Sequence, residues 1–365
     1  MNAVHTKTNM GFLKMTFLRN SARSAMIAGL ALISISAGAA EFPLKSDDLN
    51  VTHRYATSNH GGGYLQALAK DIWAVRPTGS SSWSHLVTDG ADSTVNANHL
   101  IYGRKMYAMV SGTVVGCWRN APNNAKAGTK DADVVNGYIG VAGNHVWIKT
   151  DDGIYALHAH AIPGSIPASI CPNNAVKFVK PSGTGWIAAE AAVTNGVRIT
   201  AGQFIGLAGN SGNSTGPHVH VHMAKNDAVY AMPFSHGSTT PNVGGTAAYK
   251  GPWTMLKGST LPAGPILAWA ARSTGYWTVN NIDAENFQGW FNHMADSGQM
   301  PETMVCTDGG DNYNTTWVPS KGQWVANHGM SASDFTLKNA LYTAQGYTLY
   351  KWWYCGSIRS GIWRK

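Results

Sequence analysis

Charge is scarce in this chain of 365 residues. Asp, Glu, Lys and Arg make up 13% of it, about half the usual globular share, which excludes an acidic tail or a charge-extended disordered protein. The formal net charge of +8 overstates its basic character. Lys7, Lys14, Arg19 and Arg23 all precede residue 40, where no Asp or Glu occurs, and without them 23 basic residues face 19 acidic ones. No Lys/Arg cluster is left in the body of the chain, so no nucleic-acid partner is expected. Beyond residue 40 no apolar run approaches the roughly 20 residues of a membrane span, and no Ser or Cys nucleophile motif appears. Cysteine is limited to four positions.

Hydrophobic residues are present at 44%, with 41 Gly and 15 Pro. That composition and length suit two compact domains, each able to bury a core. Lys14, Arg19 and Arg23 precede an apolar run at 25–40 that closes on Ala37-Gly38-Ala39-Ala40, the pattern of an export signal. Residues 1–40 are therefore read as a signal peptide, with Met15 an alternative start, and the mature chain as a secreted or periplasmic protein without stable membrane insertion. Cysteines in an exported chain favour disulfides. Four allow three pairings. Cys117 and Cys171 fall in the first half and Cys306 and Cys355 in the second, so one bridge per domain is the economical arrangement.

Short Val- and Ile-rich runs broken by Gly, Asn and Pro occupy 106–115, 145–150, 154–160, 204–208 and 218–223. These are strand signals without helical period, and they predict a mainly β fold with an antiparallel sheet. Composition turns to Gly, Pro, Thr and Ala over 241–265, a domain boundary. The expected layout is a first domain at 41–256, a linker at 257–275, and a small α+β domain of two repeats at 276–365. The repeat shows in Phe287/Phe335 and Gly298/Gly346, each 48 residues apart, with Trp277/Trp324 and Trp317/Trp363 at 47 and 46. Each unit reads as an amphipathic helix (286–297 and 334–345), a Gly turn and aromatic-rich strands. Two such units are expected to pack together, and a Cys306–Cys355 bridge would staple them.

The segment 206–223 holds His218, His220 and His222 at alternating positions. In a strand the three share one face. Three imidazoles on one face point to a metal, since imidazole is the commonest ligand near neutral pH and zinc accepts nitrogen and carboxylate oxygen. A polar face open to solvent is the bland alternative. A second strand-like segment places His158 and His160 on one face as well, which weakens coincidence as an explanation.

The residues GNSGNSTGPHVHVHM at 209–223 resemble the signature of the lysostaphin-type zinc endopeptidases, secreted bacterial enzymes that cut peptide bonds in peptidoglycan crosslinks. The similarity runs over 103–224, through GRKMYAMVSGTVVG and YALHAHAIPGSI, in the family's order. It implies one Zn2+ per chain, His220 as a zinc ligand, and His218 and His160 as catalytic histidines. Where the family has Phe-Glu after the His-x-His block, this chain has Val221-His222; His222 is read as edge polarity and His158 as structural. The remaining two ligands of such enzymes are a His and an Asp upstream, and two pairs compete: His60 with Asp71, and His85 with Asp89. We read His60 and Asp71 as the pair, because Asp71 opens a strand-like run (Ile72-Trp73-Ala74-Val75) whereas Asp89 is followed by Gly90-Ala91-Asp92. That choice places an insertion at 76–102. The Gly- and Ser-rich loop 209–216 is read as one wall of the groove, with a plain hairpin connection as the alternative.

In the C-terminal units, Ala344-Gln345-Gly346-Tyr347 and Gly361-Ile362-Trp363 resemble the Gly-Tyr and terminal Trp blocks of the bacterial tandem repeat domain. Of their aromatics, Trp290, Trp352, Trp353 and Tyr354 would either stack on sugars or a wall polymer or form a small core, and the core is the preferred reading for most of them. Two function classes follow: a zinc endopeptidase acting on peptidoglycan or glycine-rich peptides, and a degenerate relative that binds wall material or a partner without cleavage.

Overall fold

The computed structural model describes residues 39–50, 52–78, 82–181, 186–241, 254–262, 265–268 and 274–365. The signal-peptide reading falls, up to residue 38, outside the described residues. Among the described residues no helix is long and apolar enough to cross a membrane.

The fold is mainly antiparallel β. Its principal sheet is built around six strands: β1 (Arg54–Asn59), β2 (Lys70–Thr78), β3 (Gly112–Trp118), β4 (Asn144–Lys149), β5 (Ile154–Ala161) and β6 (Val219–Lys225). Their spatial order is β1-β2-β6-β5-β4-β3, with every neighbouring pair antiparallel. β6, late in the sequence, is thus inserted between β2 and β5, and this crossover assembles the histidines.

Alternation then sorts the side chains. Ile72, Val146, Ala156, Val219, Val221 and Met223 point to one side and join a large apolar core that also takes in Phe42, Leu44 and Phe234. Each such Val or Ile contributes on the order of 1.5–3 kcal/mol by leaving water. Asp71, His220 and His222 occupy the opposite side. Cys117–Cys171 bridges the end of β3 to a following loop with a Cα–Cα separation of 5.7 Å.

Two expectations change here. The run 106–115 is not one strand: Lys105–Tyr107 pairs with Phe204–Leu207 in a separate two-stranded sheet, and β3 begins only at Gly112. The stretch expected as linker also contributes strands. β7 (Ser238–Pro241) pairs with β8 (Pro265–Ala268), and β8 pairs with β1, extending the principal sheet beyond β1. The prolines Pro241 and Pro265 stand at the last residue of β7 and the first of β8, strand ends where a missing N–H is tolerated.

The C-terminal region holds two units of the same design. The first comprises β9 (Trp277–Asp283), a helix at Ala284–Asp296, β10 (Gln299–Thr307) and β11 (Asn312–Pro319); the second comprises β12 (Trp324–Met330), a helix at Ala332–Ala344, β13 (Thr348–Cys355) and β14 (Ile358–Arg364). Both helices start two residues earlier than the apolar pattern indicated, because Asp283 and Ser331 cap them by accepting from the backbone N–H groups of Asn286 and Asp334. Phe287, Trp290, Phe291 and Met294 of the first helix are buried together with Trp324, Ala326 and Ile362 of the second unit, so the second sheet covers the first helix. Cys306–Cys355 links the units.

Candidate metal centre

The centre starts from one cross-strand pair. Asp71 on β2 lies directly opposite His220 on β6, and residues paired in this way have neighbouring side chains on one face. His220 Nδ1 is 2.9 Å from Asp71 Oδ1. His60 follows the last residue of β1 and its N–H donates to Ala69 O at 3.2 Å, which folds the chain back so that His60 Nδ1 is 3.0 Å from Asp71 Oδ2. One donor atom from each of His60, Asp71 and His220 lies within 4.8 Å of the others. Zinc bonds of about 2.0–2.1 Å at tetrahedral angles separate ligand atoms by about 3.3 Å, close to these two contacts, so the nitrogen and oxygen donor set fits a small divalent cation.

Burial and charge agree with this chemistry. Desolvation alone would raise the Asp71 pKa, but the imidazoles of His218, His220 and His60 around it outweigh that and hold the carboxyl well below its usual range. Burial lowers the pKa of His220. Both groups therefore stand in the deprotonated form a metal requires.

His85 and Asp89 do not join the site. The His85 ring packs against His99 at 5.0 Å, and Asp89 Oδ1 accepts from Arg76 Nη2 at 2.5 Å.

His160 and His218 flank the trio, their ring centroids 4.6 Å apart, and His160 lies 5.9 Å from His220. His218 Nε2 is 3.5 Å from Asp71 Oδ1. Each ring is aimed by the loop after residue 208. His160 Nδ1 donates to Ser211 O at 2.8 Å and His218 Nδ1 donates to Gly216 O at 2.7 Å. Carbonyls accept only, so in the neutral rings the free lone pair sits on Nε2. Burial first, then the nearby His218 and His220, push the His160 pKa well below its ordinary value.

The loop is itself pinned. Asn124 Nδ2 donates to the carbonyls of Asn210, Gly212 and Ser214, and Ser211 Oγ bridges Asn144 N–H and Ala161 O. A Cβ at Gly212 would sit 2.3 Å from the Gly143 nitrogen, so only glycine permits that approach. Both the wall and the hairpin readings of the loop describe it incompletely, since its carbonyls orient two histidines.

Two sequence expectations fail here. His158 and His160 do not share a face. Between Asn144–Val146 of β4 and His158–Ala161 of β5 the register shifts, so one residue, His145, faces two, and His160 takes φ +69°. Such a bulge re-aims a side chain. His158 turns instead into the core, where its Nε2 accepts from Met109 N–H at 3.0 Å and burial lowers its pKa to about 3. Nor is His222 an edge residue. It is buried, its Nδ1 lies 3.0 Å from His220 Nε2, and burial first, then His220, lowers its pKa to about 3.

Sequence reading missed His145, Asn124 and Asn144. By alternation with Val146, His145 shares the face of Trp147, whose ring lies 5.1 Å from His222. Only the strand register reveals it.

Residues 321–350 match the family model for a polyglycine hydrolase-like structural repeat. No curated protein matches the chain significantly. Among solved structures, a zinc-containing peptidase from Vibrio cholerae shares 14% identity at a TM-score of 0.21, over 44% of this chain and 48% of that one; the chain thus spans about half of that protein. The catalytic domain of the antimicrobial peptidase lysostaphin from Staphylococcus simulans shares 16% at 0.25, over 51% and 88%. The deep-sea metalloprotease pseudoalterin shares 14% at 0.27, over 66% and 100%.

Proposed function

We propose that this protein is an exported zinc-dependent endopeptidase that hydrolyses peptide bonds in peptidoglycan crosslinks or glycine-rich peptides. In this reading residues 41–256 form the catalytic region and 276–365 the appended repeat. His60, Asp71 and His220 hold one Zn2+, and His160 and His218 are catalytic. The observation that carries the reading is the meeting of Asp71 with His220 and His60 at 2.9 and 3.0 Å, with two further imidazoles aimed at the same place. Two disulfides suit an oxidising compartment.

When bound, zinc with three protein ligands supplies an activated water of pKa about 7 and polarises the scissile carbonyl. The chain's own residues do the rest. His220 would hold the metal through Nδ1, with its Nε2–H donating to His222 Nδ1, an outer partner that fixes tautomer and ring orientation. His160 and His218, each held through Nδ1–H, turn Nε2 towards the reacting centre, where one accepts a proton from water and later returns it to the leaving amine. Charged by that proton, the same imidazolium also steadies the developing oxyanion before the proton passes to the amine, and the other ring stays neutral beside it.

Digestion of purified peptidoglycan and of pentaglycine, with products identified by mass, tests the reading together with metal content. The expected result is one zinc per chain and hydrolysis abolished by a chelator. Metal-free protein that binds peptidoglycan without cutting it would overturn the enzyme in favour of a non-cleaving relative.

A further inference from the structure

Register aligns the two C-terminal units position by position. Met304 lies opposite Thr315, two residues before Trp317, as Trp352 lies opposite Gly361, two residues before Trp363; Cys306 faces Tyr313 as Tyr354 faces Arg359. In the first unit this row is core, with Met304 0%, Cys306 5% and Tyr313 1% exposed. In the second unit the same row lies at the surface, with Trp352 50% and Tyr354 66% exposed. Large aromatic rings therefore stand where the repeat's packing does not use them.

These rings form an ordered platform. Trp352 and Tyr354 are stacked at 5.8 Å with 28° between planes, and Phe335 adjoins Trp352 at 6.0 Å. The Arg359 guanidinium lies 5.3 Å over the Tyr354 ring. Its Nη1 donates to the Gly356 and Ile358 carbonyls, and no carboxylate among the described residues pairs with it. Charge separates the units too. Residues 276–330 contain six acidic side chains and one basic, whereas 331–365 contain five basic and one acidic.

The geometry points to a binding platform for an anionic polysaccharide strand on the exposed face of the second unit. Stacked rings offer flat apolar surface to the C–H faces of sugar rings, as such platforms do for other ring polymers. Arg359, on the Tyr354 ring, selects an anionic chain; Lys351 and Arg364 are paired with Glu302 of the first unit and do not take part. The platform does not depend on the metal centre, so it stands or falls separately from the peptidase reading.

Affinity electrophoresis of the full chain, run with a chelator in gels containing polygalacturonate or neutral dextran, tests it. Polygalacturonate is expected to retard the protein and dextran to leave it unmoved. Trp352→Ala and Tyr354→Ala should each weaken retardation at least fivefold and together remove it, Trp352→Phe should keep most of it, and Arg359→Gln should weaken it more at low salt than at high. His220→Ala should be retarded like the parent. Unchanged retardation in the double variant, equal retardation by dextran, or aromatic-dependent capture of single-stranded DNA or anionic lipid vesicles in preference to polygalacturonate would overturn the assignment. Circular dichroism of each variant separates lost binding from lost fold.

Discussion

Neighbouring strands β5 and β6 carry the same motif, histidines at every second residue, and treat it in opposite ways. On β6 alternation holds, so His220 and His222 lie side by side on the face that also carries Asp71. On β5 a bulge breaks it, sending His158 into the core and His160 back to the site with φ +69°. Spacing by two is thus a statement about an unbroken ladder. One extra residue in the ladder divides the pair between a packing role and a chemical one.

Removing a ligand from β6 or β2 tests the unbroken side of this contrast with the largest effect. His220→Ala and Asp71→Ala are expected to lose the bound zinc, measured by atomic absorption, and to lower hydrolysis at least a thousandfold, whereas Asp89→Ala should keep both. Retained zinc in Asp71→Ala would end the assignment of that pair.

The broken side is tested by changing each member of the β5 pair. His160→Gly should lower kcat by about 10²–10⁴-fold, the usual contribution of a positioned acid–base group, with zinc content and stability preserved, because glycine relieves the left-handed backbone. His158→Ala should do the reverse, costing about 3 kcal/mol in urea unfolding through a cavity and an abandoned Met109 N–H while retaining zinc. Equal behaviour of the two variants would erase the distinction.

His222→Leu should weaken zinc affinity by about 10–100-fold, the range for outer partners of metal ligands, read by competition with a chromophoric chelator. Unaltered affinity would reduce His222 to packing against Trp147.

Acid sensitivity gives the most gradual effect. His158 and His145 are neutral in the fold, with pKa values lowered by burial to about 3 and about 4, while the unfolded chain binds protons below about 6.5. The stability they contribute is complete above pH 6.5 and declines as pH falls towards 4 and then 3, each by about 1.4 kcal/mol per unit. His158→Ala should flatten the unfolding free energy against pH by that amount between 6 and 4.

The two repeat units extend the contrast. Their 46–48-residue spacing was legible in the sequence, and so was a bridge between Cys306 and Cys355. What the spacing does not carry is burial: Trp290 and Phe291 of the first helix are core, whereas Lys338 and Asn339, 48 residues on, are not. The first helix is covered by the second sheet, whereas among the described residues no strand of another unit covers the second helix. The reading of most of the four named aromatics as core therefore holds for Trp290 and for Trp353, which packs against that core, while Trp352 and Tyr354 are the exposed exceptions.

Composition, alternation and motif spacing by themselves determined a mainly antiparallel β protein, strands bearing histidines and a duplicated C-terminal region, because each is a local property of consecutive residues. Only the tertiary structure decided that β6 enters between β2 and β5, setting Asp71 opposite His220 across 149 residues of chain. It likewise decided that a bulge turns His160 to the site and that His222 backs His220. Register and burial arise from long-range packing, which no window of sequence contains.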